Sequence, residues 1–143
     1  MPKTLKSAKV LWIEADPVFG GSLSQVQFPA ELSNFFSLPA SAPKKAFEMR
    51  AVLIAGVQFP AKKMDFHHND VWRLNLPTPN QGLGGYEHRI LVFEKTPDKK
   101  VYRLSVVDKG SPLDRKLRQL AKAEGQVGHR VRDDDTKREF GFF

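Results

Sequence analysis

Apolar and polar positions are most clearly ordered between Tyr86 and Glu124. Residues 88–95 (HRILVFEK) and 101–107 (VYRLSVV) are rich in branched and aromatic side chains. Between them Thr96-Pro97-Asp98-Lys99-Lys100 is a break of turn formers, so the stretch predicts a β-hairpin with a longer loop. Ile90, Leu91, Val92 and Phe93 are consecutive apolar residues, the pattern of an inner strand covered on both faces. The second strand alternates, with Tyr102, Leu104 and Val106 on one face and Arg103 and Ser105 on the other. Asp108-Lys109-Gly110 ends it. Ser111 then stands where a helix N-cap belongs, with Pro112 at the first helical position and Asp114 near the positive end of the dipole. Leu113, Leu117, Leu120 and Ala121 form one predicted stripe, Arg115, Lys116, Arg118 and Lys122 fall outside it, and Gly125 is the stop signal.

The remaining chain reads as short strands punctuated by proline. Residues 1–7 form a basic arm, and residues 8–143 are expected to make a single β-rich domain. Ala8 to Ala15 predicts the first strand, stopped by Asp16-Pro17, and Gln25 to Phe28 a second, short one. Pro29 to Phe36 admits one or two helical turns, and the segment from Leu38 to Lys45 reads as a loop. Phe47 to Phe59 predicts a buried strand with a bend, although Ala46 to Ala55 also fits a helix. Val71 to Leu76 alternates and ends at Pro77, and the stretch from Asn80 to Gly85 is a loop feeding the hairpin. Val-Gln-Phe-Pro-Ala at 26–30 recurs at 57–61, which fits a habit of closing strands with proline better than a duplication. Phe140, Phe142 and Phe143 predict a last strand tucked against the sheet, since three exposed rings would be a liability. The expected fold is mainly β (α+β): a twisted antiparallel sheet or pseudobarrel of six or seven short strands with one or two peripheral helices.

Composition narrows the functional classes. The chain has 143 residues, 41% of them hydrophobic, which fits one folded domain with a real core. It has no cysteine, which removes disulfides, thiol nucleophiles and zinc–thiolate sites. No apolar run approaches membrane-spanning length and no signal core follows the basic start, so a soluble intracellular protein is expected. Lys and Arg number 23 against 16 Asp and Glu, a net charge of +7. That balance favours a polyanionic partner, because phosphate contacts release counterions.

Catalytic patterns are sparse. Gly82-Leu83-Gly84-Gly85 precedes a strand rather than a helix and lacks the lysine of a phosphate loop, and no Gly-x-Ser-x-Gly elbow occurs. The most enzyme-like cluster is Asp65, His67, His68 and Asp70, whose carboxylates and imidazoles suit a divalent ion activating water in a nuclease. On a strand only alternate members converge, and the competing reading is a polar turn before the Val71 strand.

The basic residues point to nucleic acid instead. Lys62 and Lys63, Lys99 and Lys100, Arg115 and Arg118, and Arg130 and Arg132 are expected in loops or on the polar helix face as phosphate anchors. Arg73, Asn80, Gln81, Tyr86, His88 and Arg89 are residue types that read base edges or stack on bases. The expected function is a DNA-binding domain, duplex favoured, with base contacts from Asn80 to Arg89, no catalysis of its own and no cofactor. The alternatives are the metal-dependent nuclease and a protein-interaction subunit whose basic surface is incidental.

Four segments carry a family resemblance. Trp72-Arg73-Leu74-Asn75-Leu76-Pro77-Thr78, Gly84-Gly85-Tyr86, Arg89-Ile90-Leu91-Val92-Phe93-Glu94-Lys95 and Tyr102-Arg103-Leu104 follow in that order. Over residues 64–143 the chain resembles the B3-like DNA-recognition domain that some restriction endonucleases join to a phospholipase D-like nuclease domain. The ending Arg138-Glu139-Phe140-Gly141-Phe142-Phe143 is similar in character. The His-x-Lys dyad of the nuclease part has no counterpart here. The resemblance implies a recognition module that works alone or with a separate nuclease or effector subunit.

Overall fold

Turn chemistry closes the central hairpin as its residues dictate. In a computed structural model describing residues 4–14, 25–38, 47–54, 57–58, 62–67, 71–75, 89–124, 126–131 and 137–143, the Thr96 hydroxyl lies 2.9 Å from Val101 O. Asp98 Oδ1 accepts from Lys100 N at 2.9 Å, an Asx-type turn. In chain order the strands are β1 (Val10–Glu14), β2 (Gln25–Pro29), β3 (Phe47–Ile54), β4 (Val57–Gln58), β5 (Lys62–His67), β6 (Val71–Asn75), β7 (Arg89–Lys95), β8 (Val101–Asp108), β9 (Gln126–Val131) and β10 (Lys137–Phe142). A 3-10 helix spans Ala30–Phe36, and helix α1 spans Pro112–Glu124.

The fold is mainly β. Five strands in the order β3-β8-β7-β1-β10 make a mixed sheet with one α-helix. Further pairings extend it to the order β2-β6-β5-β3-β8-β7-β1-β10-β9, ten strands in all with β4 paired to β3. Two expectations are corrected. The count of six or seven strands is neither the five of the mixed core nor the ten of the whole ladder. The sheet is not uniformly antiparallel, because β3 and β8 run parallel, with Ala51, Val52 and Leu53 opposite Val101, Tyr102 and Arg103. Apolar runs of this kind suit either ladder, so strand direction is not written in them. The sheet is also open: no ladder joins β2 to β9 among the described residues.

Lys62 and Lys63 lie not in a loop but on β5, opposite Arg50 and Met49 of β3. Asp65 and His67 share that strand, opposite Arg73 and Val71 of β6. Asp65 to His67 are therefore strand and not turn, and residues 68–70 lie outside the described residues. A strand as polar as Lys-Lys-Met-Asp-Phe-His carries little apolar periodicity, which is why its neighbours decide it. The same applies to β9, read from sequence only as a mixed tail.

Alternation along the central strands sorts the core into two layers. Leu11, Ile13, Leu91, Phe93, Tyr102, Leu104, Phe140 and Phe142 face the 3-10 helix, whose Leu32, Phe35 and Phe36 are fully buried. Phe36 meets Phe93 edge-on with ring centroids 5.4 Å apart. On the opposite face Trp12, Ile90 and Val107 pack against Leu117 and Ala121 of α1. The four consecutive apolar residues of β7 are thus shared between both layers.

Helix α1 begins as predicted, with Asp114 N donating to the Ser111 hydroxyl at 3.2 Å. Its stripe is corrected at one position. Leu113 is 52% exposed, whereas Asp114 is buried. Asp114 turns inward because its carboxylate accepts from Gly110 N at 2.7 Å and from Arg118 Nε at 2.7 Å.

Candidate nucleic-acid interface

The turn end of the β7–β8 hairpin gathers cations. Lys95 closes β7, and its ammonium donates to the carbonyls of Leu5 (3.3 Å) and Lys6 (2.9 Å). Those carbonyls are available because Thr4 to Ser7 fold into a turn, with Ala8 N donating to Thr4 O at 2.7 Å. Leu5 packs on the core and anchors this turn. The same ammonium sits 4.9 Å above the Phe35 ring. Burial lowers the Lys95 pKa from its ordinary value.

A cleft of about 360 Å³ opens beside it, lined by Lys6, Ser37, Lys95, Thr96, Asp98, Lys99 and Tyr102. Ser37 sits there in the left-handed region (φ 58°), just past the 3-10 helix, while Leu38 N donates back to Ser33 O at 3.1 Å. Buried Arg50 holds this helix end, giving Phe36 O two bonds at 2.8 and 3.1 Å. Tyr102 donates to Lys99 O at 3.0 Å, and Ala51 N to Lys100 O at 2.8 Å. The backbone of the lysine turn is therefore pinned while both side chains stay exposed. Burial raises the Tyr102 pKa, against the opposing pull of Arg50 and Ser37.

A second polar cluster lies under α1 and is spoken for. Arg118 donates to Asp114 Oδ1 (2.7 Å), Glu14 Oε2 (3.3 Å) and Glu139 Oε2, and its guanidinium stacks 4.9 Å from the Trp12 ring. Glu14 also accepts from Glu139 N (2.8 Å) and from Lys109 Nζ (2.8 Å). Burial pushes the Glu14 pKa up, but the Glu139 amide, Lys109 and Arg118 outweigh it and the net shift is downward. For Arg118 burial acts downward, and Asp114, Glu139 and Glu14 turn the net shift upward.

These positions sort the expected anchors. Lys99, Lys100 and Arg115 are exposed, and the Arg115 guanidinium donates to Gly110 O at 3.2 Å. Arg118, expected as an anchor on the polar helix face, is part-buried and held by three carboxylates from β1, α1 and β10. Arg89 opens β7, inside the strand expected over residues 88–95, and pairs with Asp108 at 3.0 Å. Lys62, Lys63, Arg73 and Arg130 are described by strand position alone, Arg130 lying opposite Arg138. Asn80, Gln81, Tyr86, His88 and Arg132, together with His68 and Asp70 of the metal alternative, lie outside the described residues. Among the described residues no group of three or more His, Cys, Asp or Glu is placed to hold a metal ion. Among them, too, no helix is long and apolar enough to cross a membrane.

Sequence reasoning missed Lys6, Ser37 and Lys95. Lys6 and Lys95 are 89 residues apart and meet only through the fold, so no local pattern announces them. No family model matches the chain, and no curated protein matches it in sequence.

Proposed function

We propose that this chain is a DNA-binding domain that grips the phosphate backbone at the hairpin end and along the outer face of α1. One observation carries the reading. Of the described acidic groups, Glu14, Glu94, Asp108, Asp114 and Glu139 are engaged by Arg89, Arg103, Lys109 and Arg118, while Asp98 accepts from Lys100 N. Lys6, Lys95, Lys99, Lys100, Arg115, Lys116 and Lys122 have no carboxylate partner among the described residues, and they account for much of the +7 excess. Segregated charge of this kind is what a polyanion needs. Base contacts are assigned to residues 80–88, with Asn80, Gln81, Tyr86 and His88 as readers and Arg89 withdrawn from that group. The resemblance to B3-like recognition modules agrees with this reading and implies a separate nuclease or effector subunit.

Titration of labelled duplex DNA against salt tests it. Affinity is expected to fall with a log–log slope of several units, and Lys99→Ala with Lys100→Ala to reduce that slope by about one per lost phosphate contact. Absence of binding at low salt, or binding indifferent to salt, removes the proposal.

A further inference from the structure

The cleft at the hairpin end has a more specific character than a basic surface. We propose that Lys6, Lys95, Lys99 and Ser37 form a binding site for a phosphate monoester, either the terminal phosphate of a nucleic-acid strand or a small free phosphate. In its nucleic-acid form the site rests on the DNA-binding reading above; in its free-phosphate form it does not.

Charge is the first ground. Three ammonium groups line the cleft against one carboxylate, Asp98, leaving an excess of two positive charges. A monoester carries about −1.5 to −2 near neutrality and matches that excess, whereas a backbone diester carries one charge. Asp98 does not neutralise the lysines: its carboxylate accepts from Lys100 N, and it makes no ion pair with Lys6, Lys95 or Lys99 among the described residues.

Burial is the second. Lys95 is half-buried, held by two carbonyls and a ring face, with no counter-ion among the described residues. A partly desolvated ammonium without an anion is costly, and an anion in the cleft would offset that cost. The lowered Lys95 pKa is the expected companion of such a site, and bound phosphate would reverse it.

Hydroxyl chemistry is the third. Thr96 and Tyr102 spend their hydroxyls on backbone carbonyls and act as walls. Ser37 is exposed and lines the cleft, where its left-handed backbone sets it beside the lysines and its side chain also bonds Tyr102. The Tyr102 ring is 3% exposed and offers no stacking surface, so recognition falls on the phosphate and not on a base. About 360 Å³ is at the small end of ligand pockets, enough for one phosphate and part of its ester group.

The test uses the full chain. Inorganic phosphate is titrated by calorimetry at constant ionic strength, with chloride as the control anion, into the parent protein, Lys95→Met, Lys99→Ala and, outside the cleft, Arg115→Ala. Lys95→Met keeps the alkyl stem over Phe35, and exposed Lys99→Ala guards against a folding defect in it. Saturable phosphate binding that drops about tenfold or more in both cleft variants and is unchanged in Arg115→Ala supports the site. A parallel arm compares short duplexes ending in 5′-phosphate or 5′-hydroxyl. Preference for phosphorylated ends, lost in Lys95→Met, supports the strand-terminus form. Phosphate binding without any duplex binding supports the free-phosphate form and separately removes the DNA reading. No saturable phosphate binding, or equal binding by the cleft variants, overturns the proposal even where duplex DNA still binds.

Discussion

Glu14 shows what one well-placed carboxylate does. It takes the Glu139 amide on one oxygen and Lys109 and Arg118 on the other, and its side chain is only 12% exposed. Its pKa in the folded protein lies below the ordinary value of 4.5, so the folded state holds this proton less tightly than the unfolded chain. The stabilisation is therefore complete above about pH 4.5 and is lost as pH falls through the lower folded value. Glu14→Gln is expected to cost about 1.5–3 kcal/mol near neutrality, where a charged hydrogen-bond acceptor is removed. The variant should also lose part of the parent's acid sensitivity. Urea unfolding between pH 7 and pH 3 checks both, and parallel pH profiles for parent and variant would contradict the assignment. Lys95 runs the other way. Its folded pKa is lowered, so its charged form carries a desolvation cost that is present at neutral pH and relieved as pH rises toward its unfolded value of 10.5. Lys95→Met is accordingly expected to hold or raise the melting temperature, which thermal unfolding reads directly.

At the scale of elements, β1 and β10 meet through a missing side chain. Trp12 is fully buried and lies opposite Gly141 in the register. A Cβ at residue 141 would stand 2.5 Å from Trp12 Cζ2 and 2.6 Å from Cε2 and Nε1. Glycine here is required by close approach, not by backbone angle. Gly141→Ala should destabilise the protein by about 1–3 kcal/mol, the usual cost of overpacking a filled core. Adding Trp12→Leu should make the pair less costly than the sum of the single changes, because each acts on the same space. Additive losses in chemical unfolding would show that the two residues do not compete. Residue identities announced only that this aromatic tail would be a strand tucked against the sheet. That its neighbour is the indole of Trp12 required the β1–β10 pairing.

Across the whole molecule, β10 joins β1 to β9 and supplies Phe140 and Phe142 to the larger core layer. Deleting residues 140–143 removes two buried rings, each contributing about 1.5–3 kcal/mol. It also takes away half of the β10–β9 register, the pairs of Phe140, Gly141 and Phe142. Set against a total stability of about 5–15 kcal/mol, the truncated protein should melt far lower or fail to stay soluble. An unchanged melting midpoint would make these residues a docking segment for another protein.

Sequence alone determined those features whose cause is local. The β7–β8 hairpin, the Ser111 cap, the turn chemistry of Thr96 to Lys100 and the burial of Phe140 and Phe142 all follow from short-range periodicity, capping and hydrophobicity. The lysine turn belongs to this group, since a loop of turn formers exposes whatever charge it carries. Tertiary structure decided everything that depends on distant partners. It ran β3 parallel to β8, made a strand of polar Lys62 to His67, and turned Leu113 outward in favour of Asp114. Arg118 and Lys99 are equally basic in sequence. One is drawn inward by three carboxylates from separate elements, and the other is left facing a cleft with Lys6 and Lys95. A charge's role is set by the charges around it in space, and those come together only when the sheet does.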